Sequence, residues 1–197
     1  MTPPAHSRRT FLASTAALAA GASVSTAIGD SAPRQERKRI ALIGTESRTH
    51  SHAQHFIDRF LLGYTWEGGW HTPEVDLVSL YIDQFPDGDL ARGQSGRSGV
   101  PIFPTIAEAL TMGTSGLAVD GVVIIAEHGD YPRNDLGQHL YPRFEFFKQV
   151  VEVFEASGRS VPVFNDKHLS TDWGRCVEMV EDAKRLGFLC WPARPCR

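Results

Sequence analysis

Cysteine is scarce in this chain. There are three in 197 residues, Cys176, Cys190 and Cys196, too few and too late in the chain for a disulfide framework. No apolar run is long enough to cross a membrane: the most apolar N-terminal stretch, Phe11 to Val24, is alanine-rich, short and only mildly hydrophobic. No basic stripe and no interleaving of aromatic with basic residues is present, and the net charge is −3. That pattern excludes the usual nucleic-acid binders. There is no internal repeat, and no G-x-G-x-x-G.

What is present is ordinary globular material, 42% hydrophobic and 22% charged. Residues 7–12 read Ser-Arg-Arg-Thr-Phe-Leu, a twin-arginine pattern. The alanine-rich run follows it, and Ser25-Thr26-Ala27 offers the small residues that a signal peptidase needs. The reading is a twin-arginine signal peptide over 1–27, a polar linker over 28–38, one domain over 39–189 and an irregular tail over 190–197. The expected location is periplasmic or extracellular, with the twin-arginine translocase as partner during export and no stable membrane span. Removing Arg8 and Arg9 takes the net charge from −3 to about −5. About 170 residues remain, enough for one sizeable core.

The domain opens on Ile40–Ile43, a short apolar run stopped by Gly44. A polar turn and a helix from about Ser51 to Leu62 follow, with Phe56, Ile57, Phe60 and Leu61 on one face. Strand, glycine and helix in that order begin a βαβ unit. GYTWEGGWHTPE reads as a long loop and Glu74–Ile82 as strand two, with Asp83 at its end. Phe85–Gly99 reads as an exposed, turn-rich segment. Val100–Phe103 is strand three, and Thr105 and Glu108 have the spacing of a capping box. Val119–Ala126 is strand four, apolar enough to be buried on both faces. Pro142 starts a strong helix whose apolar face is Phe144, Phe147, Val150, Val151 and Phe154. Ser160–Phe164 is strand five. Ser170 is read as the cap of a last helix carrying Trp173, Val177 and Val180 on one face, and a sixth strand begins near Phe188. The alternation predicts a doubly wound, parallel α/β sheet, and the right-handed crossover rule gives strand order 3-2-1-4-5-6.

In such sheets ligands bind outside the carboxyl ends of the strands, at the point where the order reverses. Thr45, Glu46, His50 and His52 follow strand one, Glu127, His128 and Asp130 follow strand four, and Asn165, Asp166, Lys167 and His168 follow strand five. Three readings of this edge compete. In a dinucleotide site, Gly44, Thr45 and the helix N-terminus approach the pyrophosphate, Arg48 offsets Glu46, and Asp83, 39 residues beyond Gly44, takes the ribose hydroxyls. Glu127, His128 and Asp166 complete its lining. In a metal-dependent enzyme, a hydrolase, His50, His52, His55 and His128, with the acids at the strand ends, supply two to four nitrogen and oxygen ligands to a divalent ion. In a non-catalytic binding module, the polar strand ends do no chemistry.

At VPVFNDKHLS, after the helix KQVVEVFEASG, the chain resembles the Gfo/Idh/MocA-type oxidoreductases, in the segment where that family carries Glu-Lys-Pro after a strand. Lys167 falls on the family's catalytic lysine, Asp166 stands where its glutamate is usual, and His168 where its proline is. TIAEAL…VDGVVIIAEH and RIALIGT are similar to its strand-four region and first strand, so the likeness runs from Arg39 to Gly187. The resemblance implies a Rossmann domain binding NAD or NADP and redox chemistry on a small molecule such as a sugar or polyol. Lys167, with His168 beside it, would be the candidate catalytic pair. Two departures stand out: the glycine-rich turn is missing, and the family's second domain has no counterpart. Together with the closing LCWPARPCR, they lead to the expectation of a truncated or degenerate chain, inactive alone.

Overall fold

The computed structural model describes residues 36–192; the expected twin-arginine signal, most of the expected linker and residues 193–197 of the expected tail lie outside the described residues. The chain runs β1 (Lys38–Gly44), α1 (His52–Leu62), β2 (Tyr64–Trp66), β3 (Gly69–His71), β4 (Val75–Ile82), α2 (Ala91–Ser98), β5 (Ile102–Phe103), α3 (Ile106–Thr111), β6 (Gly121–Ile125), α4 (Arg143–Ser157), β7 (Val163–Asn165), α5 (Trp173–Leu186) and β8 (Cys190–Pro192). Six strands form one sheet in the order β5-β4-β1-β6-β7-β8, all pairings parallel. This is the expected order, with β4 as strand two and β8 as strand six.

Side-chain alternation explains the layers. Ala41, Ile43, Val122 and Ile124 face one way, against α3, α4 and α5. Ile40, Leu42, Val123 and Ile125 face the other way, against α1 and α2. A parallel strand buried on both faces has no polar position to spare, hence the continuous apolar runs. Helix ends follow local chemistry: Ser51 accepts the Gln54 N–H, Thr105 accepts the Glu108 N–H, and Asp172 accepts the Arg175 N–H.

Three expectations are corrected. GYTWEGGWHTPE is not a plain loop: it contains the antiparallel hairpin β2–β3, with Tyr64 paired to His71. Phe85–Gly99 contains α2, which apolar periodicity could not reveal because polar contacts dock it. Its buried Gln94 accepts from Ser47 Oγ (3.0 Å) and donates to Asp58 (2.7 Å). The third concerns α5. Asp172, not Ser170, is the cap, and Trp173, Val177 and Val180 lie on the exposed face. The buried stripe is Cys176, Met179, Asp182 and Ala183. Asp182 breaks the apolar pattern of that stripe, yet it is tolerated because Lys148 and Arg185 each reach it at 2.6 Å.

Burial by itself would push the Asp182 carboxyl up, but the hydrogen bonds and charges of Arg185 and Lys148 outweigh it, so its pKa is lowered. A carboxyl lowered in the fold adds stability above its unfolded pKa, and that stability is lost as pH falls through the folded value. Urea midpoints are therefore expected to fall below about pH 4. Asp182→Asn should flatten that acid limb, and an unchanged limb would remove Asp182 from it.

Candidate functional site

The carboxyl edge of the sheet gathers the polar ends of β1, β6 and β7. Gly44 packs inward: a Cβ there would meet Ile82 Cδ1 at 3.2 Å. Thr45 N–H bonds to Ile125 O, its hydroxyl donates to Glu127 O, and its carbonyl accepts from Gln84 N. The turn is thus locked to the ends of β6 and β4. Glu46 is buried, and its charge is met by Arg48, whose Nε lies 2.7 Å away. Arg48 also reaches His128 Nδ1 at 3.0 Å, tying the β1 turn to the end of β6.

The centre of the edge is a four-residue network. His52, the first residue of α1, places Nδ1 2.8 Å from Asp166 Oδ2 and 3.5 Å from Glu127 Oε1. Lys167 Nζ lies 3.2 Å from His52 Nε2 and 3.3 Å from Glu127 Oε2. An ammonium donates only, so this arrangement assigns the imidazole proton to Nδ1, where it donates to Asp166. Glu127 and Asp166 are nearly covered, with side-chain exposures of 11% and 7%. Glu127 Oε1 is buried with no hydrogen-bond partner; His128 Nε2 lies 3.3 Å from it, outside bonding geometry. Asn165, fully buried, shapes the turn by donating to the carbonyls of Asp166 and His168. His50, His128 and Lys167, one at each of the three strand ends, have positive φ of 64°, 66° and 66°. Such backbone is costly for residues with a Cβ and clusters at functional sites.

The other sequence-predicted residues fall as follows. His50 and His55 are exposed and stand outside the carboxylate cluster; among the described residues, the potential metal-ligating group is His52, Glu127 and Asp166. His168 is exposed, and its imidazole is held below the usual histidine range by partial burial and by the charge of Arg143. Asp83, at the end of β4, accepts the phenol of Tyr81 at 2.8 Å and that of Tyr131 at 2.5 Å. Burial first, then the hydrogen bond and charge of Asp83, hold both phenols above the ordinary tyrosine range. Tyr131 belongs to the loop after β6, and Gln84 fastens that loop by bonding both the N–H and the carbonyl of Asp130. A raised phenol pKa gives stability that is complete below the unfolded value near pH 10 and is lost as pH rises beyond it. Tyr131→Phe is expected to make alkaline unfolding shallower, as read by denaturation midpoints through that range.

Sequence reasoning missed Arg143. It is 4% exposed, its Nε lacks a hydrogen-bond partner, and it opens α4, where the helix dipole disfavours a cation. Desolvation lowers its pKa, while Glu127 and Asp166 oppose that shift. The signal was in the sequence: an arginine after a helix-starting proline, where an acid is the favoured residue.

These features define a class: a doubly wound Rossmann-type domain with an acid–base cluster at its switch point. No protein-family model matches the chain, and no curated protein matches it. Solved structures do. It is similar to a Gfo/Idh/MocA family oxidoreductase from Vibrio cholerae, at 18% identity and TM-score 0.51, over 79% of this chain and 38% of that one. It is also similar to the WlbA dehydrogenase from Chromobacterium violaceum, solved with NADH and UDP-GlcNAcA, at 18% identity and TM-score 0.52, over 81% and 36%. A third is the dehydrogenase MviM from Clostridium difficile, at 13% identity and TM-score 0.50, over 80% and 39%. The expected likeness to Gfo/Idh/MocA oxidoreductases is therefore present as a likeness of fold. The chain spans 36–39% of the length of these neighbours.

Proposed function

We propose that this domain binds NAD or NADP at the carboxyl edge of the sheet and serves an oxidoreductase acting on a small molecule, a sugar or polyol. The carrying observation is Lys167 at the end of β7, suspended between His52 and Glu127 beside the switch point of the sheet. The edge suits a nucleotide. Asp83 already accepts two hydroxyl donors, the chemistry that a ribose diol offers, and Tyr131 has to release it for a ribose to enter. With no glycine-rich turn, phosphate binding falls to Arg48 and to the N–H groups opening α1. A bound nicotinamide nucleotide supplies hydride exchange. Lys167, as an ammonium, donates from Nζ to the substrate oxygen and orients it, with His52 and Glu127 fixing its position. Because the chain spans little more than a third of its neighbours' length, sugar oxidation by these residues alone is not part of the reading. Nucleotide binding is.

The direct test is a thermal-shift series with NAD(H) and NADP(H). A one-site ligand at 100 times its Kd adds about 2.7 kcal/mol, a clear upward shift. No shift with any of the four nucleotides would end this reading and favour a binding module of another kind.

We propose export by the twin-arginine route, with the domain working outside the cytoplasm. Replacing Arg8 and Arg9 together by lysine is expected to hold the chain inside cells that have the pathway, as read by fractionation. Unchanged export would remove the proposal. Among the described residues, no helix is long and apolar enough to cross a membrane.

A further inference from the structure

We propose that His52, Glu127 and Asp166 form a binding site for a single divalent transition-metal ion. Independently of the nucleotide reading, three convergent ligand atoms carry this inference: His52, Glu127 and Asp166 each offer one, and the three lie within 4.8 Å of one another. Bonds of about 2.0–2.2 Å from one ion to nitrogen and oxygen ligands call for ligand atoms roughly 3–3.5 Å apart. His52 Nδ1 already stands 2.8 Å from Asp166 Oδ2 and 3.5 Å from Glu127 Oε1, so small side-chain rotations suffice.

The second observation is an unmet acceptor. Glu127 Oε1 is buried without a hydrogen-bond partner: the nearest imidazole nitrogens, His128 Nε2 at 3.3 Å and His52 Nδ1 at 3.5 Å, do not bond to it, and the side chain is 11% exposed. A buried carboxylate oxygen left unpaired is costly, and a cation among these three atoms removes that cost. Among the described residues, Asn165 Oδ1, from the residue before Asp166, is a second buried acceptor without a hydrogen-bond partner.

Arg143 already sets a positive charge near Glu127 and Asp166; Lys167 is the competing cation in direct contact, and its contacts show how it and a metal can share the site. It touches His52 through Nε2 and Glu127 through Oε2, leaving Nδ1 and Oε1 to converge with Asp166. When a metal takes Nδ1, the imidazole proton moves to Nε2, and Lys167 keeps Glu127 Oε2 as its partner. One imidazole and two carboxylates form a mixed nitrogen–oxygen set suited to zinc, manganese or ferrous iron, not to a soft thiophilic ion. Three protein ligands leave positions open for a substrate oxygen, so the ion would polarise a hydroxyl or carbonyl beside Lys167.

The test uses the full chain, stripped with chelator and titrated with Co²⁺. One Co²⁺ per chain with visible d–d absorption is expected. Glu127→Gln and Asp166→Asn should each weaken binding about tenfold or more, while His50→Ala, an exposed histidine outside the cluster, should not change it. Lys167→Met should bind as tightly or more tightly. Circular dichroism establishes that each variant is folded. Should a variant fail to fold, Mn²⁺ resonance on the unaltered chain decides the point: the free-ion signal is lost up to one equivalent if the site exists. A free-ion signal that persists from the first addition overturns the proposal, as does cobalt binding of equal strength in the folded Glu127 and Asp166 variants. No nucleotide enters either measurement, so the result stands whatever the thermal-shift series shows.

Discussion

Replacing Phe147 by alanine is expected to cost about 3–5 kcal/mol, read as a lowered urea midpoint at unchanged slope. Phe147 is fully buried on α4 and meets Phe188 with ring centroids 6.0 Å apart; Phe154 meets the same ring edge-on at 5.2 Å. These rings join α4 to the chain that enters β8, over the sheet face formed by Ala41, Ile43, Val122 and Ile124. Truncation removes the transfer energy of the ring and opens a cavity that a packed sheet and two helices cannot close. Domains of this size have about 5–15 kcal/mol in total, so the variant stands near the edge of folding. Phe147→Leu keeps most of the volume and should lose under about 1.5 kcal/mol. The corrected face of α5 is tested in the same way. Met179→Ala is expected to cost about 2–5 kcal/mol, and Val177→Ala at most about 0.5 kcal/mol. A reversed order would restore the Trp173–Val177–Val180 stripe as the packed one.

The second large effect is on nucleotide affinity. Asp83→Ala is expected to weaken NAD or NADP binding by about ten- to a hundredfold, since hydrogen bonds to a charged group contribute about 1.5–3 kcal/mol. The present partners of the carboxylate, Tyr81 and Tyr131, make a second, opposite forecast. A ribose must displace the Tyr131 phenol, so Tyr131→Phe should tighten binding while Asp83→Ala weakens it. Calorimetric titration of both variants reads the pair. Equal affinity in all three proteins would take Asp83 out of the ribose role. Weaker binding in Tyr131→Phe would mean that the loop after β6 is part of the nucleotide's own contacts.

The sequence determined the frame of this protein because the relevant signals are local. Ile40–Ile43 followed by Gly44, and the run VDGVVIIA, read as strands buried on both faces since every position is apolar. The crossover rule then set their order, and the sheet follows it. It also brought the ends of three strands to one edge, so Glu127, Asp166 and Lys167 could be named before any contact was known. Ser51 and Thr105 announced two helix starts by their own side chains.

Only the tertiary structure decided how those residues meet. His52 and Asp166 are 114 positions apart, and nothing in either neighbourhood reports their 2.8 Å contact. Periodicity also failed where polar contacts replace apolar ones. Gln94 docks α2 through hydrogen bonds, and Asp182 lies buried in α5 between Lys148 and Arg185 beside Cys176, Met179 and Ala183, so the packed stripe of that helix is not the one that Trp173, Val177 and Val180 suggest. The two phenols on Asp83 come from β4 itself and from the loop beyond β6. Pairing of polar groups depends on distance in space, which the hydrophobic pattern of a single chain does not encode. The fold was therefore legible before the site was.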